Sequence, residues 1–168
     1  MKPIVADTGP LNYLIQVDAI GCVPGVFSRV FLPVLVLDEL GSPGAPSLVR
    51  EWVRVLPSWV EVVDSAIEMP DEFKRGLSDT DLQVLSSGMK WQVPVLIDDL
   101  AARNVGRSVG IPVLGTLGFL ELAAAKGLLR LSEVLERLKK TNIHLGERLY
   151  LDALDRDALR RDGRGPTH

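Results

Sequence analysis

Apolar positions recur along the chain in two alternating rhythms. Ile4-Val5-Ala6, Val30-Phe31-Leu32-Pro33 and Val93-Pro94-Val95-Leu96-Ile97 are short unbroken runs, the pattern of strands buried on both faces. Ile111-Pro112-Val113-Leu114 is a further short strand, and Trp59-Val60-Glu61-Val62-Val63 alternates as an edge strand does. Between these runs the apolar residues fall at helical spacing. Leu11, Leu14, Ile15 and Ala19 make one stripe, stopped by Gly21; Leu48, Trp52 and Val55 make another on residues 47–55. A third comprises Leu82, Leu85 and Met89, with Val84 at its margin, on a helix opened by Ser78. Further helices are predicted over 23–27, 34–40, 101–110, 119–126, 132–140 (capped by Ser132) and 147–159, with loops at 41–46 and 69–76. Strand and helix alternate. That order predicts an α/β protein, a three-layer α/β/α arrangement about a central parallel sheet, with extra helices at the C-terminus.

Composition narrows the class. The 168 residues are 46% hydrophobic and 24% charged, an ordinary globular balance with enough length for one core. The single Cys22 cannot form an internal disulfide; it reads as a small apolar residue and points to a reducing, cytoplasmic setting. Asp7, Gly9 and Pro10 break the N-terminal run too early for a signal peptide. The longest apolar stretch, Val30 to Leu37, is interrupted by Pro33 and falls far short of the ~20 residues of a membrane span, so no membrane association is expected. A net charge of −3 argues against gripping nucleic acid by bulk charge, but leaves open a surface whose acids are gathered in one pocket.

The acids have that distribution. Asp7 and the pair Asp98-Asp99 each follow an apolar strand and precede a helix, where open α/β sheets bind ligands. If those strands are neighbours, about 4.8 Å apart, the carboxylates repel, and such a cluster requires a shared proton or a bound cation. Glu39 stands near the end of an otherwise apolar helix, and Asp81 in the first turn of its own. Each has a plainer reading: Asp79, Asp81, Asp98 or Asp99 as a helix cap, Glu39 as a solvated helix-end charge, Asp7 as a turn residue. Capping alone must produce the joint pattern by coincidence. Asp7-Thr8-Gly9 also matches the nucleophile turn of aspartic proteases, which are all-β. A haloacid-dehalogenase phosphatase wants a second Asp where Gly9 stands. There is no Walker loop, GxGxxG or Cys/His metal set, and His144 and His168 fall outside the proposed site.

The series Ile4-Val5-Ala6-Asp7-Thr8-Gly9-Pro10-Leu11, Asp38-Glu39-Leu40, Leu77-Ser78-Asp79-Thr80-Asp81-Leu82, Leu96-Ile97-Asp98-Asp99 and Gly115-Thr116-Leu117-Gly118 resembles the PIN-domain nucleases. Within them it is similar to a bacterial and archaeal subgroup with a DTGPL start and a GTLG turn, over about residues 3 to 155. The order and spacing of the motifs carry the likeness. It implies a PIN-like nuclease domain over 1–130, a C-terminal helical extension of it over 131–160 and a frayed tail over 161–168. The family's four acidic positions fall on Asp7, Glu39, Asp81 and Asp99, with Asp98 adjacent, Asp79 an alternative to Asp81, and Thr8 the small hydroxyl residue after the first acid.

The implied activity is a Mg²⁺- or Mn²⁺-dependent endoribonuclease acting on single-stranded or structured RNA. Asp7 and Asp99 would be direct metal ligands, and Glu39 and Asp81 would complete the site through water or a second ion. Neutralising those four acids takes the formal charge from −3 to +1. Arg103 and Arg107, on one helix face after Asp99, either meet an RNA backbone or are solvated helix charges. In toxin relatives of the family a small antitoxin inhibits the nuclease, an expected context here, and the C-terminal helices are expected to serve homodimerisation or partner docking. The rival reading is a non-catalytic PIN-like binding module whose acidic pocket seats a partner's basic residue. A metal-dependent phosphodiesterase acting on small nucleotides is a third reading.

Overall fold

Ile4–Ala6 (β1) is buried on both faces, as the central strand of a covered parallel sheet must be. The computed structural model describes residues 1–163. After β1 come α1 (Thr8–Gln16), a 3-10 turn (Ile20–Cys22), α2 (Val23–Val26), β2 (Val30–Pro33), α3 (Val34–Leu40), α4 (Ser47–Arg54) and β3 (Val60–Val63). They are followed by α5 (Asp71–Lys74), α6 (Asp79–Trp91), β4 (Val95–Leu96), α7 (Leu100–Ser108), β5 (Val113–Leu114), α8 (Thr116–Ala125), α9 (Leu131–Leu138) and α10 (Glu147–Arg161).

The strands form one all-parallel sheet in the order β3-β2-β1-β4-β5. Ile4 pairs with Val30 on one side of β1, and Ala6 with Leu96 on the other. The chain therefore steps outward from β1 to β3, then returns past β1 to build β4 and β5. The crevice at the carboxyl ends of β1 and β4 is the topological switch point, and Asp7 and Asp98 both open onto it. α6 lies along β1, β2 and β4 with α7 beside it, while α8 packs on α1 and α2 and carries α9 and α10. The outcome is the three-layer α/β/α arrangement with added C-terminal helices. No helix among the described residues is long and apolar enough to cross a membrane.

Close packing on the sheet depends on two glycines. A Cβ on Gly88 of α6 would stand 2.6 Å from Val95 Cγ1, and one on Gly106 of α7 2.7 Å from Val113 Cγ1. Both helices press onto β4 and β5 closer than any side chain permits.

Several expectations from the pattern are corrected. On α4 the buried face is Val49, with Leu48 57% and Val55 79% exposed. The spacing of Val49, Trp52 and Val53 is equally helical, and contact with α1 and α3 selects it. Met89 is likewise exposed, and α6 instead buries Leu82 through Gly88 almost all round, because the sheet, α3 and α7 surround it. Residues 69–76 contain one helical turn, α5, opened by Pro70 and the acids Asp71 and Glu72. Gly115-Thr116-Leu117-Gly118 is the N-cap and first turn of α8 rather than a turn before it, and α9 begins at the fully buried Leu131, so Ser132 is inside it. α10 continues to Arg161, one residue into the expected tail; residues 164–168 of that tail, His168 included, lie outside the described residues.

Candidate active site

Asp7 terminates β1 and is the N-cap residue of α1 (φ −87°, ψ 165°), yet its carboxylate caps nothing. Its N–H donates to the Leu96 carbonyl at 2.9 Å, which pins the strand end against β4 and leaves the side chain facing the switch point. Only 9% of the residue is exposed. Burial pushes its pKa from the ordinary 3.8 up to about 7; the Thr8 N–H works against this, and the charges of Asp81, Glu39 and Asp98 add to it. All the charges acting on Asp7 are therefore negative.

Glu39 reaches the same place from α3. It accepts hydrogen bonds from the hydroxyl of Thr8 on α1 and from that of Thr80 on α6, so one carboxylate ties three helices together. Asp81, the third residue of α6, completes a capping box: its Oδ2 accepts from the Ser78 N–H at 2.9 Å and the Ser78 hydroxyl at 2.8 Å, while its own N–H donates to Ser78 Oγ. Asp81 thus caps its helix, and its charge also acts on Asp7. Asp79, the alternative, is exposed, and its charge is not among those acting on Asp7.

The two acids at the end of β4 separate. Asp98 turns inward and takes two bonds from the first residue of α8, from the Thr116 N–H at 2.8 Å and the Thr116 hydroxyl at 2.6 Å. A Cβ on Gly9 would lie 4.0 Å from its Oδ2, and one on Gly115 only 3.0 Å from its Oδ1. Gly115 thus leaves the room this carboxylate occupies, whereas a side chain at Gly9 would meet it only at ordinary contact distance. Asp99 turns outward, exposed, and caps α7 by accepting from the Ala102 N–H at 2.8 Å. Of the two, it is Asp98 whose charge acts on Asp7, while Asp99, the acid expected there, faces away from it. The reason is the one-residue alternation of an extended chain, which sends consecutive side chains to opposite sides.

Arg103 and Arg107 also part company. Arg107 is exposed and donates to Asn104 Oδ1 at 3.3 Å, a solvated helix charge. Arg103 is half-buried, lines a cleft with Asp98 and Gly115, and has a buried Nε with no hydrogen-bond partner. Reading the sequence missed the two buried hydroxyl partners, Thr80 and Thr116. Both lie inside the motifs that flag the acids, so the signal was present as a hydroxyl next to a carboxylate.

Among the described residues no three Asp, Glu, His or Cys side chains close on a common point as they stand. Ser78, Thr116 and the Thr8 and Thr80 pair each donate to one of the acids around Asp7. The donor chemistry nevertheless fits a hard divalent cation: carboxylate and hydroxyl oxygens, no thiol or imidazole, and a buried carboxylate whose charge is balanced by no cationic side chain. A family model described as PIN domain matches residues 3–158. No curated protein matches the chain.

Proposed function

We infer that this chain, which belongs to the PIN-domain family and so to a group that is generally nucleolytic, is a ribonuclease that hydrolyses phosphodiester bonds at the Asp7 pocket with Mg²⁺ or Mn²⁺. The observation that carries the reading is Asp7 itself. A carboxylate buried at the switch point, pressed by three other acids and offered no cation by the protein, ionises near pH 7 only at a cost that a cation supplied from outside would offset. Asp7 and Asp98 would hold that ion directly, with Glu39 and Asp81 completing its shell through water. When bound, such an ion supplies positive charge for the phosphoryl oxygens and lowers the pKa of water.

The protein's own contributions follow from the geometry. Thr8 and Thr80 fix Glu39, Thr116 fixes Asp98, and Ser78 fixes Asp81, so each carboxylate is oriented before substrate arrives. Arg103, which lines the cleft beside Asp98, would supply the guanidinium that meets a phosphate of the strand. In the reaction water attacks phosphorus in line with the scissile P–O bond, and that bond breaks as the leaving oxygen takes a proton.

The test compares the wild type with Asp7→Asn and Asp98→Asn on single-stranded RNA, with Mn²⁺ or EDTA. Cleavage is expected only from the wild type with metal. Persistent cleavage by Asp7→Asn or in EDTA would falsify the reading, and a wild type that neither cuts nor binds Mn²⁺ would favour the binding module. For the toxin role, expression of the wild type but not of Asp7→Asn should arrest growth.

A further inference from the structure

Beside the acids, on the Glu39 side, the surface opens into a cleft of about 470 Å³ between α1, the turn after α3 and the segment that follows α9. Thr8 and Glu39 form its inner end, so it is continuous with the pocket that the proposed function assigns to the scissile phosphate. Along one wall Thr8, Asn12 and Gln16 succeed one another at every fourth residue of α1. They make a polar row that leads away from the acids for about 12 Å at 1.5 Å per residue. The Asn12 Oδ1 is buried and accepts no hydrogen bond. Buried acceptors are nearly always paired, and the residue that carries this one lines a cleft large enough for a nucleotide. The opposite wall brings Lys140, exposed and in no ion pair among the described residues, together with the Asn142 amide.

Neutral amides on one wall and an unpaired ammonium on the other match the two ends of a nucleotide. Side-chain amides pair with a base edge, and Asn and Gln do so best with the amino and ring-nitrogen edge of adenine. An ammonium takes a phosphate without regard to sequence. We propose that this cleft seats the nucleotide next to the scissile phosphate, that Asn12 with Gln16 reads its base through an exocyclic amine, adenine foremost, and that Lys140 holds its far phosphate. The proposal rests on the nuclease reading for the identity of the strand, but concerns a separate contact: binding there uses no metal and none of the four acids as ligands.

Binding in EDTA separates the two. Wild-type protein is titrated with the dinucleotides ApA, CpC and UpU, and with ApA again for Asn12→Leu, Gln16→Ala and Lys140→Ala, by calorimetry or by amide shifts of the folded protein. ApA is expected to bind at least ten-fold tighter than UpU. Asn12→Leu should erase that difference, Gln16→Ala should reduce it, and Lys140→Ala should weaken all three probes alike and lower their salt dependence. Equal binding of the three probes, or a preference unchanged in both Asn12→Leu and Gln16→Ala, overturns the proposal. Gln16→Ala is at the open end of the cleft and serves if Asn12→Leu does not fold. A base preference without RNA cleavage in Mn²⁺ would sink the nuclease reading and leave the cleft standing. Cleavage with no base preference in either assay would do the reverse.

Discussion

Asp7 sets the pH behaviour of the metal-free protein. Its pKa in the fold, about 7, lies above the ordinary 3.8, so between those values the folded chain keeps a proton that the unfolded chain releases. Stability from this group is therefore full below pH 4, falls as pH rises through the window and levels off above pH 7. At about 1.4 kcal/mol per pH unit the loss is a few kcal/mol. Asp7→Asn, which carries no charge, should flatten that slope and raise the melting temperature in EDTA at pH 8, even as it abolishes cleavage. Thermal denaturation across pH 4–8 checks this; a wild-type curve that rises with pH over that range contradicts it. The neighbouring acids offer a sharper contrast. Asp98→Asn should remove activity, whereas Asp99→Asn, which keeps a good N-cap on α7, should leave both activity and stability nearly unchanged. Equal losses in the two variants would return the ligand role to Asp99.

At the scale of elements, α3 is positioned by its partner helix. The Gln83 amide, buried in α6, accepts from the Leu35 N–H at 3.1 Å and donates to the Ser65 carbonyl at 3.0 Å. It ties the start of α3 to α6, and Glu39 lies on that same α3 while Thr80 and Asp81 begin α6. Gln83→Leu leaves the Leu35 N–H and the Ser65 carbonyl unpaired and should cost about 2–4 kcal/mol by denaturant unfolding, with turnover falling further than stability alone accounts for. A loss under 1 kcal/mol would show that water replaces the amide. Gly88→Ala tests the seating of α6 on the sheet: the gain in helix propensity is about 1 kcal/mol, and the contact with Val95 should outweigh it, for a net loss of about 1–2 kcal/mol. Helix positions were readable from the chain because Pro33, Ser78 and Gly41 mark starts and stops, and α3 falls on residues 34–40 as its pattern implies. The face of α4 was not, since Leu48, Trp52, Val55 and Val49, Trp52, Val53 are both helical stripes, and only α1 and α3 choose between them.

For the whole molecule, the divalent cation proposed at the acids would make its binding and folding a linked equilibrium. An ion that binds only the folded chain raises its stability with concentration, and a proton on Asp7 competes with that ion. Mn²⁺ should therefore raise the melting temperature more at pH 8 than at pH 6, and Asp7→Asn should abolish the increment at both. An equal shift at the two pH values, or one that survives in Asp7→Asn, would place the ion elsewhere. The sequence by itself determined the alternation of strands and helices, the parallel sheet and the address of Asp7, because hydrophobic period and strand-end position are local properties of the chain. It also brought forward the acids, since carboxylates near apolar runs are visible without coordinates. Only the tertiary structure decided which of two adjacent acids enters the pocket. It was β4 pairing with β1, and the N-terminus of α8 offering Thr116, that turned Asp98 inward and left Asp99 to cap α7. The same holds for the cleft at Asn12: its walls come from α1, the turn after α3 and the segment after α9, stretches far apart in sequence that meet only in the fold.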